Sequence, residues 1–152
     1  GGNMDLKEAT GGATIWLPVQ VPGALLFVGD LHGAMGTAEP AWVGFESAGR
    51  ATLRISIDRS LRSIPSPRMC PANANELLFI QPAESLEQAH TKAIEQMWHY
   101  LTETLTLTDY EAHAVMSSLV DVRFGGPAGS IVILAVPLNI LAAAPSIASS
   151  FD

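Results

Sequence analysis

An aspartate, a histidine and a glutamate lie close together in the first third of the sequence, directly after an apolar run. They are Asp30, His32 and Glu39 in the stretch LFVGDLHGAMGTAEP. Residues two apart in a strand project to the same face, so a strand through this stretch would bring Asp30 and His32 together. Glycines in the following bend would let Glu39 return to the same pocket. Such a cluster suits a metal site or a general base, and an ordinary polar turn is the alternative.

The other residues that could do chemistry have simpler interpretations. His90 and His99 fall in a predicted helix without a second ligand at helical spacing, so we expect them at the edge of the core. His113, in the next predicted helix, is interpreted in the same way. The single cysteine, Cys70, excludes an internal disulfide framework and has no neighbouring histidine or aspartate, so we expect a passive thiol. It is compatible with a reducing compartment, and we expect a cytoplasmic location.

The composition limits the class of protein and its partners. The chain has 152 residues, of which 48% are hydrophobic and only 15% charged, with a mean hydropathy of +0.27. That length suffices for one domain with its own core. The low charge predicts either a large buried fraction or a surface that packs against something else. A net charge of -7 argues against a nucleic-acid partner, and no basic cluster indicates a membrane surface. The longest apolar run, residues 130–144, is interrupted by Pro137 and too short for a membrane span, so it predicts a strand followed by a loop.

The first half of the sequence predicts strands. The continuous apolar run at 24–30 indicates a strand buried on both faces, and the alternation over 49–58 indicates a strand with one apolar face. A hairpin turn is predicted at Ala48–Gly49, and a loop rich in proline and asparagine at 60–75. The strands predicted in this half are 13–19, 24–30, 41–47, 49–58 and 76–81.

The second half changes to a helical period. Apolar spacing and possible N-terminal caps predict helices over 85–105 and 108–120. Two more strands, 121–126 and 130–137, are predicted to follow around a Gly-Gly-Pro turn, and the small, polar tail at 146–152 is expected to fray. We therefore predict a single α+β domain over residues 1–152, mostly of strands, with two adjacent helices in the C-terminal half.

Several long motifs resemble those of the acetamidase/formamidase family. That family carries a Gly-Gly-Asn-Met-Asp stretch, matched here by GGNMD at residues 1–5. It also carries Leu-Pro-Val-x-Val-Pro-Gly-Ala-Leu followed by Gly-Asp-x-His-x-x-x-Gly-Asp-Gly-Glu, matched here by residues 17–39. The similarity continues through Glu46, the SPR segment, the helix pair and LVDVRFGG, so it covers nearly the whole chain.

The resemblance implies metal-assisted hydrolysis of small linear amides, such as formamide or acetamide, to ammonia and a carboxylate. Carried over by position, Asp30 and His32 would hold a divalent ion of the zinc type. Glu39 would be a third ligand, or the catalytic base that accepts a proton from water and passes it to the leaving nitrogen. Asn3 and Asp5 would bind the substrate.

Two departures from the family pattern leave a second class of function open. Thr37 replaces the aspartate of the Gly-Asp-Gly-Glu motif and Ala38 replaces its second glycine. Members of the family also extend further on the N-terminal side. The alternative is therefore a non-catalytic or truncated form of the fold that acts as a binding or assembly module. In either case we expect a homo-oligomer or a complex with the missing N-terminal portion.

Overall fold

An antiparallel five-stranded sheet packed against two helices forms the body of the protein. The computed structural model describes residues 3–59, 64–126 and 130–142. Within these ranges the elements, in chain order, are β1 (Thr14–Trp16), β2 (His32–Ala34), β3 (Phe45–Glu46), β4 (Arg68–Cys70), β5 (Glu76–Pro82), α1 (Leu86–His99), a π-helical segment (Tyr100–Thr104), α2 (Asp109–Leu119), β6 (Asp121–Gly125), β7 (Ile131–Pro137) and α3 (Leu138–Ala142). The large sheet has the order β1-β4-β5-β7-β6, and β2 and β3 form a separate two-stranded ribbon. The predicted α+β class, with strands outnumbering helices, is confirmed.

The central pair of the sheet is buried on both of its faces. β5 and β7 pair over seven residues, from Glu76 opposite Pro137 to Pro82 opposite Ile131. Alternate residues point to opposite faces, so Phe79 and Leu134 pack under the helices while Leu78 and Ile133 pack on the other side. Burial on both faces explains why these strands read as continuous apolar runs.

The two predicted helices are present and cover one face of the sheet. The Ser85 side chain accepts a hydrogen bond from the Gln88 backbone N–H and starts α1, which buries Ala89, Ala93 and Met97. Thr108 and Glu111 form a complete capping box at the start of α2. Together with the central strands, these helices enclose the larger of two apolar clusters.

The opposite face of the sheet is covered by the N-terminal residues of the chain. Met4 and Leu6 pack against a smaller buried cluster that includes Met69, Ile80 and Ile133. This packing fixes the backbone on both sides of the residue between them, Asp5.

Three predicted strands of the first half are wrong or much shorter than predicted. Residues 24–30 form no strand, and their apolar side chains are exposed, because nothing in the described ranges packs on either face. Residues 49–58 form no strand either, and the hairpin at Ala48–Gly49 is absent. Of the predicted strand 41–47 only β3 forms, and it pairs with β2 instead.

Smaller corrections concern the predicted strand 13–19 and two predicted loops. β1 occupies three residues of 13–19, since it pairs only with the equally short β4. β4 itself lies in the predicted loop 60–75, where Met69 is fully buried between two neighbouring strands. After Pro137 the chain forms α3 instead of a loop, and α3 buries Leu141 in the core. The predicted fraying tail at 146–152 lies outside the described residues, as does Pro127 of the predicted turn.

No helix within the described ranges combines the length and the hydropathy that crossing a lipid bilayer requires.

Candidate functional site

The β2–β3 ribbon places a largely buried histidine opposite a glutamate. His32 and Glu46 are direct partners in the antiparallel register, so their side chains lie on the same side of the ribbon. The distance from His32 Nδ1 to Glu46 Oε1 is 3.8 Å. The register shifts between His32 and Ala34, as at a β-bulge, and bulges often redirect side chains near active sites.

Asp30 contacts the other nitrogen of the same ring, by a route that differs from the predicted one. Its Oδ1 lies 3.2 Å from His32 Nε2. The contact does not arise from a shared strand face, because Asp30 precedes β2 and its φ is 61°, in the left-handed region. Aspartate adopts this conformation more readily than most residues, because its short polar side chain can hydrogen-bond locally.

Glu39 returns to His32 through a tight turn. The Glu39 N–H donates to the Gly36 carbonyl at 3.2 Å, and Ala38 and Glu39 both have positive φ values, 60° and 42°. The Glu39 carboxylate is buried, and its Oε1 lies 3.8 Å from His32 Nδ1. Ala38 stands where the family motif has glycine, and its positive φ is the conformation that glycine adopts without steric cost.

Asp5 joins the cluster from the N-terminal segment. Burial raises the pKa of its carboxyl, and the neighbouring charges of Glu39 and Asp30 raise it further, while His32 opposes the shift. The Asp5 carboxyl therefore lies close enough to those of Glu39 and Asp30 to be affected by their charges. Asn3 is exposed, and no contact described in the structure joins it to His32.

Three buried polar atoms in this cluster have no hydrogen-bond partner within the described part of the chain. They are Asp5 Oδ2, His32 Nδ1 and Glu39 Oε1. Buried polar groups in proteins are nearly always satisfied, and an exception calls for an explanation such as an ion or water. One imidazole nitrogen with several carboxylate oxygens is a donor set suited to zinc and similar divalent ions.

The side chains that best fit a metal are Asp30, His32 and Glu46. One ligand atom from each lies within 4.8 Å of the other two. Glu46 is absent from the ligand set predicted from the sequence, which named Asp30, His32 and Glu39. Its position in the predicted strand 41–47 gives no sign that it will pair with His32. Glu39 is not part of this triad, but its Oε1 lies 3.8 Å from His32 Nδ1.

Comparisons with known proteins agree on one family. The sequence model described as "Acetamidase/Formamidase family" matches residues 1–143. The chain is 36% identical over 58 residues to a formamidase of Methylophilus methylotrophus, a stretch that makes up 38% of this chain and 14% of that protein.

Two solved structures resemble nearly the whole chain. An acetamidase from Bacillus halodurans has a TM-score of 0.84 and 32% identity, over 95% of this chain and 49% of its own. A predicted acetamidase/formamidase from Thermoanaerobacter tengcongensis has a TM-score of 0.84 and 29% identity, over 94% of this chain and 47% of its own. The chain therefore spans about half the length of these two structures, and 14% of the curated relatives it matches.

Proposed function

Because the chain belongs to the acetamidase/formamidase family, we propose that it carries polar groups of an active site that hydrolyses small linear amides. Water adds to the amide carbonyl, the C–N bond breaks, and ammonia and a carboxylate are released. The observation that supports this most strongly is the set of unpartnered buried atoms on Asp5, His32 and Glu39, which face one another in a single cluster.

In this proposal Asp30, His32 and Glu46 would hold a divalent ion of the zinc type. Such an ion, when bound, polarises the amide carbonyl and lowers the pKa of water. Asp30 and Glu46 are exposed while His32 is largely buried, so the imidazole fixes the position of the site and the two carboxylates close it from outside.

Glu39 is the proposed proton carrier. Its carboxylate is buried beside His32, and its Oε1 is not used by any hydrogen bond within the described ranges. It would accept a proton from the attacking water and deliver that proton to the leaving nitrogen. The alternative role for Glu39 Oε1 is that of a further metal ligand.

Asp5 and Asn3 are the proposed substrate-binding residues. Burial raises the pKa of the Asp5 carboxyl, and its Oδ2, which has no hydrogen-bond partner within the described ranges, can accept a hydrogen bond from the N–H of an amide substrate. The Asn3 side chain can both donate to and accept from an amide, although it is exposed in this structure.

Removal of the central imidazole tests the proposal directly. We expect His32→Ala to lower the affinity for Zn²⁺ by at least ~10-fold, measured by calorimetry, because it removes the ligand between the carboxylates. Circular dichroism should show the fold unchanged. His99→Ala is the matched control, since His99 is exposed at the end of α1 and pairs with Glu103 of the π-helical segment that follows.

Ammonia release from formamide and acetamide is the second measurement. We expect slow release by this chain alone, because two of the proposed ligands remain open to water, and a loss of that release in His32→Ala. Equal Zn²⁺ binding and equal ammonia release in the His32 and His99 variants would contradict the proposal.

A second candidate function is that of a binding or assembly module. It is favoured by Thr37 in place of the motif's aspartate and by the exposed apolar side chains of residues 17–59. Such a module would associate with further copies of itself or with a polypeptide that corresponds to the uncovered part of its relatives. Association without any ammonia release would favour this function over hydrolysis.

A further inference from the structure

Exposed apolar side chains are concentrated in residues 17–59. Phe27 is 87% exposed and Ile57 73%, and Leu25, Trp42 and Phe45 are exposed to a similar degree. Such a concentration of large exposed apolar side chains in one segment is uncommon in an isolated domain and indicates an interaction surface.

The same segment contributes almost nothing to the interior of the protein. Between residues 17 and 59 the only buried side chain in the structure is the polar Glu39. The buried members of the apolar clusters come from residues 69–141, with Met4, Leu6 and Trp16 packed against them. The segment therefore has the composition of a core but packs against neither apolar cluster.

Residues 49–57 also leave their backbone unpaired. None of their N–H or C=O groups forms a hydrogen bond with a described residue. Their sequence nevertheless alternates as a strand does, with Leu53, Ile55 and Ile57 exposed along one face. An apolar, strand-forming segment with free backbone groups is a template for pairing with another strand.

We propose that residues 49–58 become a β-strand by pairing with a strand of another polypeptide segment of the acetamidase/formamidase fold, from the part that this chain does not span. The two solved relatives match nearly all of this chain, and each contains about as much polypeptide again. A segment of that kind is thus available in proteins that share this fold.

A second copy of this chain is a poorer occupant. Each copy carries a net charge of -7, so two copies repel one another. A second copy also carries the same exposed apolar side chains. Pairing of the two strands edge to edge would leave the apolar side chains of both copies exposed.

The pairing would take place beside the candidate site, since the Ser47 N–H, shortly before residues 49–58, donates to the carbonyl of Leu31, the residue between Asp30 and His32. Exposed apolar side chains and unpaired backbone groups drive this pairing, and neither depends on the chemistry of amide hydrolysis. Pairing without ammonia release would support the proposed strand pairing and contradict the proposed hydrolysis.

Co-expression provides the test. Tagged full chain is produced together with the part of the Bacillus halodurans acetamidase that lies outside the matched region. We expect the two polypeptides to purify together, and amide hydrogen exchange of residues 49–58 to slow on the order of 100-fold relative to this chain alone.

Variants then locate the surface. Ile55→Asp should abolish co-purification and the added protection, because it places a charge in the new apolar contact. Tyr110→Asp, at an even more exposed position on α2, should preserve both.

Two results would overturn the proposal. One is recovery of the tagged chain without the second polypeptide, with residues 49–58 still exchanging rapidly. The other is protection of residues 49–58 in this chain alone together with a dimer mass in light scattering, which would assign the surface to a second copy.

Discussion

The position of the His32 ring depends on the absence of a side chain at Gly44. A Cβ atom built on Gly44 would overlap the ring at Nδ1 and would lie only 3.2 Å from the Ala34 carbonyl oxygen. The backbone of the loop before β3 therefore approaches the imidazole as closely as its atoms allow. Glycine is required at position 44 because a side chain would collide with the ring. Backbone conformation is not the reason, since the φ of Gly44 lies outside the left-handed region.

Gly44→Ala should displace the imidazole from Glu39 and Glu46. We expect Zn²⁺ affinity to fall by about 10-fold, a typical effect of losing ligand orientation, as measured by calorimetry. Gly36→Ala is the control, because a Cβ there would meet only Pro40, at an ordinary 3.9 Å. Equal Zn²⁺ affinities in the two variants would show that metal binding does not depend on the position of the His32 ring.

The thiol of Cys70 should be unreactive at neutral pH. Burial raises its pKa from an ordinary 9.0 to about 11, and the thiolate is the reactive form. Alkylation by iodoacetamide, followed by mass spectrometry, should be slow at pH 7 and accelerate as the pH approaches 11. Because the folded pKa is the higher one, this group's contribution to stability is complete below pH 9 and is lost as the pH rises through 11. Labelling at pH 7 as fast as in guanidinium-unfolded protein would contradict this.

Part of the candidate site could be predicted from the sequence and part could not. Asp30, His32 and Glu39 are close in sequence, so one short stretch was enough to propose that they meet. Glu46 reaches His32 only through the register of a ribbon whose strands are two and three residues long. Asp5 reaches the cluster only because its neighbours pack on the sheet. Neither of these two contacts produces a periodic pattern in the sequence from which it could be predicted.

At the scale of elements, α2 depends on the reciprocal hydrogen bonds of its capping box. The Glu111 N–H donates to Thr108 Oγ1 at 3.3 Å, and the Thr108 N–H donates to Glu111 Oε2 at 2.9 Å. The hydrogen bonds from the backbone and side chain of Thr108 lower the pKa of the Glu111 carboxyl. The stabilisation from its charged form is therefore present above the ordinary pKa of 4.5 and is lost as the pH falls through the lowered value.

Thr108→Ala should reduce the free energy of unfolding at pH 7 by about 1 kcal/mol, as loss of an N-cap side chain does. Urea denaturation followed by circular dichroism measures the change. Thr91→Ala is the matched control in α1, where the Thr91 hydroxyl donates only to the Glu87 carbonyl one turn earlier. We expect that variant to differ from the original by less than ~0.5 kcal/mol. Equal losses at the two positions would contradict the role of the cap.

Elements were predictable where the chain supplies its own partner. β5, β7 and both helices have strong periods and pack on one another, so local pattern and final structure agree. Residues 24–30 and 49–58 have equally strong strand patterns, but no described strand lies beside them. A strand exists only when its backbone is paired, and sequence composition does not say whether a partner is present.

At the scale of the whole molecule, β7 holds the structure together because it lies between the two apolar clusters. Leu134 is fully buried on the helical face, and Ile133 is almost fully buried on the other face. The strand also pairs with β5 along its whole length and with β6 from Ile131 to Ala135.

Leu134→Ala should lower the free energy of unfolding by about 2–5 kcal/mol, because a cavity would open between the sheet and α1. Denaturant unfolding monitored by tryptophan fluorescence gives the value. Val122→Ala, on the neighbouring edge strand where the side chain is about half exposed, should cost less than ~1 kcal/mol. A similar cost at both positions would mean that β7 is not the centre of the core.

The pairing of β5 with β7 also determines when the protein can fold during its synthesis. The second strand of the pair ends at Pro137, so the sheet cannot close before the ribosome has passed that residue. At ~5–20 residues per second, translation from residue 59 to residue 137 takes about 4–16 s. Throughout that interval the apolar side chains of residues 17–59 are already synthesised, while the core that follows them does not yet exist. Closure of the sheet does not cover these side chains, because neither apolar cluster includes a residue of 17–59, so their exposure ends only when another polypeptide packs on them.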